Sequence, residues 1–84
     1  MNDPGFPMAD THTSATERLR EITVNGRATR TTAATLAGLV VEQGFAEGRV
    51  ATAVNGDFVA ERARAAARLR DGDNVEILSV RQGG

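Results

Sequence analysis

The chain has 84 residues and a mass of 8.9 kDa, so it has room for one small domain. It contains no cysteine, which excludes disulfides, thiolate metal sites and cysteine nucleophiles, and its single histidine leaves little material for a metal or acid–base centre. Ten basic side chains against eleven acidic ones give a net charge of −1, which favours neither nucleic acid nor an anionic membrane as a partner. We therefore expect neither a metal site nor an enzyme with an active site of its own.

The first part of the chain, residues 1–18, has the composition of an unfolded extension. Both prolines and the only histidine, His12, lie here among Ser, Thr and Asp residues, and such a segment cannot bury enough apolar surface to offset the entropy of ordering it. It has no basic start and no apolar run of secretory length, and no stretch of the chain is long and apolar enough to span a membrane. We predict a disordered extension, with Met8 as an alternative start, on a cytoplasmic protein that does not bind membranes.

A β-hairpin is predicted where the regular part of the chain begins. Residues 19–24 alternate apolar and polar side chains, as in a half-buried strand. Asn25-Gly26 follows, the dipeptide that best tolerates the positive φ angles of a two-residue hairpin turn. Residues 27–31 then return as an edge strand, polar and rich in Thr.

A helix is predicted next, over residues 33–43. Thr31 or Thr32 can cap it, because a threonine hydroxyl accepts a free backbone N–H of the first turn. Gly44 ends the helix, since glycine readily adopts a left-handed conformation. The buried face at helical spacing consists of Leu36, Leu39 and Val40.

The second half of the chain contains three more predicted strands. Residues 49–54 are rich in β-formers and lead into Asn55-Gly56, a second hairpin signal. Residues 57–60 return as a short strand, and residues 61–67 can form one helical turn on the connection that follows. The last strand is predicted over residues 75–80.

Two groups of charged residues in this half have structural explanations. Asp71 and Asp73 flank Gly72, a spacing that is typical of a tight turn and not of a metal pair. Four arginines without interleaved aromatic residues indicate a solvated face and not a nucleic-acid patch. They are Arg62, Arg64, Arg68 and Arg70.

The order β-β-α-β-β-β in residues 19–80 predicts an α+β domain with the β-grasp, or ubiquitin-like, fold. A mixed sheet of four to five strands packs on one helix, and the first and last strands are parallel neighbours. Residues 81–84 follow the last strand as a flexible tail.

The last strand also predicts an exposed apolar surface. Strand alternation turns Val75 and Ile77 toward the helix and Leu78 and Val80 toward the open face of the sheet. With Phe58, Leu78 and Val80 are candidates for a partner-docking surface, although single exposed aliphatic side chains are also normal on protein surfaces.

The tail ends in Gly83-Gly84, and its chemistry suits the delivery of a carboxylate. A carboxylate is a poor electrophile until one oxygen becomes a good leaving group, as in an acyl-adenylate made with ATP. Glycine has no Cβ to obstruct a narrow channel, and four extended residues reach at most about 13–14 Å. The chain would thus present the Gly84 carboxylate to a partner enzyme, with Arg81 and Gln82 as the rest of the tail.

Residues 21–84 resemble the ThiS family, the sulfur carrier proteins of thiamin biosynthesis. The resemblance rests on four segments in the same order, EITVNG, TLAGLVVEQG, VATAVNGDFV and LRDGDNVEILSVRQGG. It implies that a ThiF-type enzyme, related to the ubiquitin activators, uses ATP to adenylate Gly84. The adenylate then becomes a thiocarboxylate with sulfur from a cysteine desulfurase or another donor, and thiazole synthase receives the sulfur. The chain would be a monomeric co-substrate of these enzymes with no bound cofactor.

Other functions are compatible with the same features. The small subunit of molybdopterin synthase shares the fold, the Asp-Gly-Asp turn and the terminal Gly-Gly, but it typically has a proline on the approach to the tail, where this chain has none. Sulfur carriers of other pathways share all of these features. A ubiquitin-like modifier would join Gly84 to a lysine of a target protein, and a pure binding module would keep the fold without the chemistry. Loss of Gly84 would leave only the binding module intact.

Overall fold

The structure, a computed structural model, describes residues 18–80. Its strands are β1 (Arg20–Val24), β2 (Arg27–Thr31), β3 (Val50–Val54), β4 (Asp57–Val59) and β5 (Asn74–Ser79). The helix α1 (Leu36–Glu42) follows β2, and two 3-10 helices, Glu47–Arg49 and Glu61–Ala66, precede β3 and follow β4. The predictions for the N-terminal extension, apart from Arg18, and for residues 81–84 fall outside the described range.

The five described strands form one mixed sheet in the order β2-β1-β5-β3-β4. β5 lies in the middle, parallel to β1 and antiparallel to β3. Tight hairpins join β1 to β2 and β3 to β4. This topology confirms the predicted element order, the parallel pairing of the first and last strands, and the β-grasp fold.

The helix α1 covers one face of the sheet with an aliphatic core, as predicted. Leu36, Leu39 and Val40 are fully buried, and burial of such a side chain contributes about 1.5–3 kcal/mol. The buried side chains that complete this core are Ile22, Val24, Val50, Leu69, Val75 and Ile77.

The prediction that Thr31 or Thr32 caps α1 is wrong, because the side chain of Thr35 caps the helix. Residues 34–36 pair with residues 67–69 through two backbone hydrogen bonds of 2.9 Å and an isolated bridge. This pairing holds the chain extended until the helix begins.

Among residues 18–80 no helix is long and apolar enough to cross a membrane.

The predicted turn residues are confirmed. Asn25-Gly26 and Asn55-Gly56 have positive φ at both positions, as the preferred two-residue hairpin turn requires. Gly44 follows α1 with a φ of 87° and donates its N–H to the carbonyl of Val41 at 2.9 Å. These local signals were readable because each depends on the backbone preference of one or two residues.

The Asp71-Gly72-Asp73 segment is a tight turn, as predicted. The carboxylate of Asp73 accepts the backbone N–H of Arg70, and that of Asp71 accepts the backbone N–H of Glu21, each at 2.8 Å. Both carboxylates therefore serve the fold. Within the described part of the chain, no group of three or more His, Asp or Glu side chains could hold a metal ion.

The prediction that Arg64 belongs to a solvated face is wrong, since the residue is only 2% exposed. Its guanidinium donates to the carbonyls of Glu47 at 2.6 Å and Val50 at 2.7 Å, and to Oγ1 of Thr52 at 3.0 Å. A guanidinium can be buried only where its N–H groups find acceptors, and here three neutral ones surround it. The other three arginines of this group, which are exposed as predicted, are Arg62, Arg68 and Arg70.

The strand β1 begins with a second buried arginine. Arg20 is buried, whereas Leu19, which the predicted strand included, is exposed. The Arg20 side chain donates to the carbonyls of Leu69 at 3.2 Å and Arg18 at 3.1 Å. The strand therefore starts one residue later than predicted, with a charged residue in the first buried position.

Candidate functional site

The open face of the sheet, opposite α1, carries an apolar surface on the half formed by β5, β3 and β4. The strand register sets Ala51 opposite Leu78, and it sets Ala53 between Glu76 and Phe58. Because the alanines are small, the larger side chains beside them enclose a shallow depression of about 140 Å³. We call this surface the open-face patch. Its lining residues are Ala51, Thr52, Ala53, Phe58, Glu76 and Leu78.

Two of the three predicted docking residues come together in the open-face patch. Phe58 is 72% exposed and Leu78 is 63% exposed. Val80 is also exposed, but it follows the end of β5 and does not line the depression. Its backbone N–H donates to the carbonyl of Arg49 at 2.7 Å, which holds the residue beside the start of β3. Val80, the residue that precedes the tail, therefore lies next to the open-face patch.

The other half of the open face carries mainly polar side chains. Glu21 on β1 lies opposite Arg30 on β2, and their side chains form an ion pair with a distance of 3.5 Å. Thr23 and Ala28 form a neighbouring cross-strand pair on the same face. The apolar surface is thus confined to the half of the sheet formed by β5, β3 and β4.

Sequence reasoning singled out Phe58 and Leu78 but not Glu76 or the two alanines. The alternation that places Leu78 on the open face also places Glu76 there, so a signal for Glu76 was present. The alanines gave no such signal, because their position opposite Leu78 and Phe58 depends on the register between strands that are distant in the sequence.

Two asparagine side chains bind the central strand β5 from its two sides. Asn25 donates from Nδ2 to the carbonyl of Ile77 at 3.0 Å and accepts the N–H of Ile77 on Oδ1 at 2.8 Å. Asn55 accepts the N–H of Asn74 at 2.9 Å and donates to the carboxylate of Asp73 at 3.0 Å. The sequence indicated these asparagines only as turn residues. Their side chains also fix the strand that carries Glu76 and Leu78 and leads to the tail.

Substitution of Asn25 tests this contribution. Asn25→Asp should lower the free energy of unfolding by about 1–2 kcal/mol, because the carbonyl of Ile77 loses its donor and faces a carboxylate oxygen. Asn25→Gly keeps the positive φ but removes both side-chain bonds, so it separates them from the turn geometry. Urea denaturation measures both variants. An Asn25→Gly chain as stable as the wild type would show that the side-chain bonds contribute nothing.

A larger open cavity, of about 500 Å³, lies between α1 and the two 3-10 helices. It is lined by Ala37, Glu47, Glu61, Arg62 and Ala65. These lining residues include no hydroxyl, imidazole or thiol that could act as a nucleophile beside a base.

The four remaining predicted site residues lie outside the described residues. They are Arg81, Gln82, Gly83 and Gly84.

Known proteins that resemble this chain in sequence and structure support the fold described above. The family model for the ThiS family matches residues 17–84. A crystal structure of the thiamine biosynthesis protein ThiS from Geobacter metallireducens is 29% identical, with a TM-score of 0.64, and the match covers 76% of this chain and 99% of that one. An NMR solution structure of a thiamine biosynthesis protein from the same organism is also 29% identical, with a TM-score of 0.62 and coverage of 76% and 87%. No curated protein sequence matches significantly. Because the family model matches more than half of the chain, the chain belongs to the ThiS family.

Proposed function

We propose that this chain is a sulfur carrier protein of thiamin biosynthesis and that the carboxylate of Gly84 carries the sulfur. The family match supports this most directly, because it extends through Gly83 and Gly84. The β-grasp topology and the 29% identity to ThiS of Geobacter metallireducens agree with it. In this proposal the chain is a monomeric, cytoplasmic co-substrate and not an enzyme.

The proposed chemistry takes place on partner enzymes. A ThiF-type enzyme binds ATP and the carrier, and the Gly84 carboxylate attacks the α-phosphate, which forms an acyl-adenylate and releases pyrophosphate. Sulfide displaces AMP and leaves a thiocarboxylate directly. Sulfur from a cysteine desulfurase arrives as a persulfide, which displaces AMP to form an acyl disulfide; a thiol then cleaves the S–S bond, so that a disulfide forms and the thiocarboxylate is released. Thiazole synthase receives the sulfur, and the carboxylate is regenerated. The carrier itself binds no cofactor in this scheme.

The contribution of this chain is to dock and to extend its tail. Phe58 and Leu78 of the open-face patch, with Val80 beside them, would contact the activating enzyme. Four residues follow Val80, and such a segment spans at most about 13–14 Å. The docked surface must therefore lie close to the nucleotide site of the partner. The open-face patch meets this requirement, because its Leu78 lies on β5 only three residues before the tail begins.

The proposal is tested by intact mass. The purified chain is incubated with ATP, a ThiF-type enzyme of demonstrated activity and a sulfide source, beside a matched chain that lacks Gly84. We expect the full chain to gain the mass difference between one sulfur and one oxygen. The shortened chain should remain unchanged, because it does not place its carboxylate where the adenylate forms.

Two of the alternative functions give different results in the same assay, whereas a sulfur carrier of another pathway would gain the same mass and is distinguished by its failure to donate sulfur to thiazole synthase. A ubiquitin-like modifier would appear as a covalent product on a lysine of another protein when cell extract is added. A pure binding module would show no change in mass although it binds the enzyme. Either result would contradict the proposed sulfur carrier function.

A further inference from the structure

Glu76 is the one charged residue among those that line the open-face patch. It lies on the central strand β5, directly across from Ala53 and two residues before Leu78. Its side chain is exposed on the same face as Phe58 and Leu78. A carboxylate thus borders the apolar depression that the proposed function assigns to docking.

Within the described part of the chain, the carboxylate of Glu76 does not contribute to the fold. Glu76 forms no hydrogen bond or ion pair with any of residues 18–80. Two acidic side chains of the described range do take part in the fold, since Glu21 pairs with Arg30 and the carboxylate of Asp71 accepts a backbone N–H. On the β3 side, Glu76 has only alanine side chains on its own face, and on the β1 side the register sets Thr23 beside Asn74, two residues before Glu76.

The position of Glu76 limits what can cover the patch. An apolar surface that buries this carboxylate without a partner leaves an unpaired charge in a dry interface, which is strongly unfavourable. A second copy of this chain, related by two-fold symmetry through the patch, would bury two such carboxylates in one small interface. The occupant that fits is an apolar protein surface that carries a cationic side chain at the position facing Glu76.

We infer that Glu76 determines the specificity of the open-face patch: it selects an activating enzyme that places an arginine or lysine against it, and it disfavours pairing between two copies of the carrier. The inference rests on the proposed function, because the enzyme that acts on Gly84 must dock within the reach of the short tail. Phe58 and Leu78 supply contact area, whereas Glu76 supplies the charge that distinguishes one apolar surface from another.

The test compares the affinities of Glu76→Gln and Glu61→Gln for the ThiF-type enzyme by isothermal titration calorimetry at low and high NaCl concentration. Both substitutions remove one negative charge, but Glu61 lies on the opposite side of the domain, in the 3-10 helix beside α1. We expect Glu76→Gln to weaken binding by about 30-fold or more and to reduce its dependence on salt. Glu61→Gln should bind as the wild type does. Circular dichroism should show both variants folded, since neither side chain bonds to residues 18–80.

The outcomes separate this inference from the proposed function. If the wild type gains sulfur and Glu76→Gln binds as tightly as the wild type, the inference is overturned and the carrier function stands. If the wild type gains no sulfur with an active enzyme, the carrier function fails. Sedimentation gives a further check: a wild-type dimer that Phe58→Asp disrupts would make a second copy the occupant and would also overturn the inference.

Discussion

Replacing Arg64 by methionine is expected to lower the free energy of unfolding by about 3 kcal/mol. Methionine occupies much of the same space but donates no hydrogen bond, so the carbonyls of Glu47 and Val50 lose donors that lie at 2.6 and 2.7 Å. Each buried acceptor left without a partner costs about 1–3 kcal/mol. Since a natural domain is stable by only about 5–15 kcal/mol, the loss would be a large fraction of the total.

The effect should extend beyond the substituted side chain, because Arg64 joins three parts of the fold. Oγ1 of Thr52 accepts from Nε of Arg64 at 3.0 Å and donates to the carbonyl of Val59 at 2.8 Å. The guanidinium therefore connects the second 3-10 helix to β3 and, through Thr52, to β4. Hydrogen exchange of the β3–β4 amides should accelerate in the Arg64→Met chain, since these strands lose a shared buried contact.

Two further variants make the Arg64 prediction specific. Arg62→Met, two residues earlier in the same 3-10 helix, changes an exposed arginine, and such substitutions usually shift stability by less than about 0.5 kcal/mol. Arg64→Lys keeps the charge but cannot reproduce the planar fork, so we expect an intermediate loss. Urea midpoints measure all three, with m-values checked for equality. Equal midpoints for Arg64→Met and Arg62→Met would contradict the structural role of Arg64.

The fold was readable from the sequence because its signals are local. The two Asn-Gly turns, the glycine after α1 and the alternating last strand each depend on a few neighbouring residues. The β-grasp topology then followed from the order of the elements, since a small sheet with one helix has few ways to bury one face.

The buried arginines and the helix start were not readable in the same way. Whether Arg64 is solvated or buried depends on the carbonyls of Glu47 and Val50, which lie 17 and 14 residues away in the chain. The late start of α1 depends on pairing between residues 34–36 and 67–69, which no propensity of Thr31 or Thr32 reveals.

The candidate site was also predictable from the sequence only in part. The exposure of Leu78 followed from alternation within one strand, which needs no knowledge of the other strands. The depression beside it depends on Ala51 and Ala53 lying across from Leu78, Glu76 and Phe58, and that register exists only in the folded sheet. The sequence therefore predicted the exposure of Leu78 but not the depression that lies beside it.

Replacing Leu78 by aspartate is expected to weaken binding to the ThiF-type enzyme by about 30-fold or more, with formation of the thiocarboxylate slowed in proportion at low carrier concentration. The substitution removes apolar contact area and sets a second carboxylate beside Glu76. Because Leu78 is 63% exposed and lies outside the buried core, stability should fall by less than about 1 kcal/mol.

The matched control is Val41→Asp on α1. Val41 is also 63% exposed, but it lies on the helix, away from the open face of the sheet. Both variants add one negative charge in place of an exposed aliphatic side chain, so a general effect of charge or hydrophobicity would weaken binding equally. Equal affinities for Leu78→Asp and Val41→Asp would contradict docking through the open-face patch. A loss of affinity that is confined to Leu78→Asp and persists at high NaCl concentration would show that apolar contact at this residue contributes to binding. Salt screens much of the repulsion between exposed charges, but it does not restore the apolar contact area that the substitution removes.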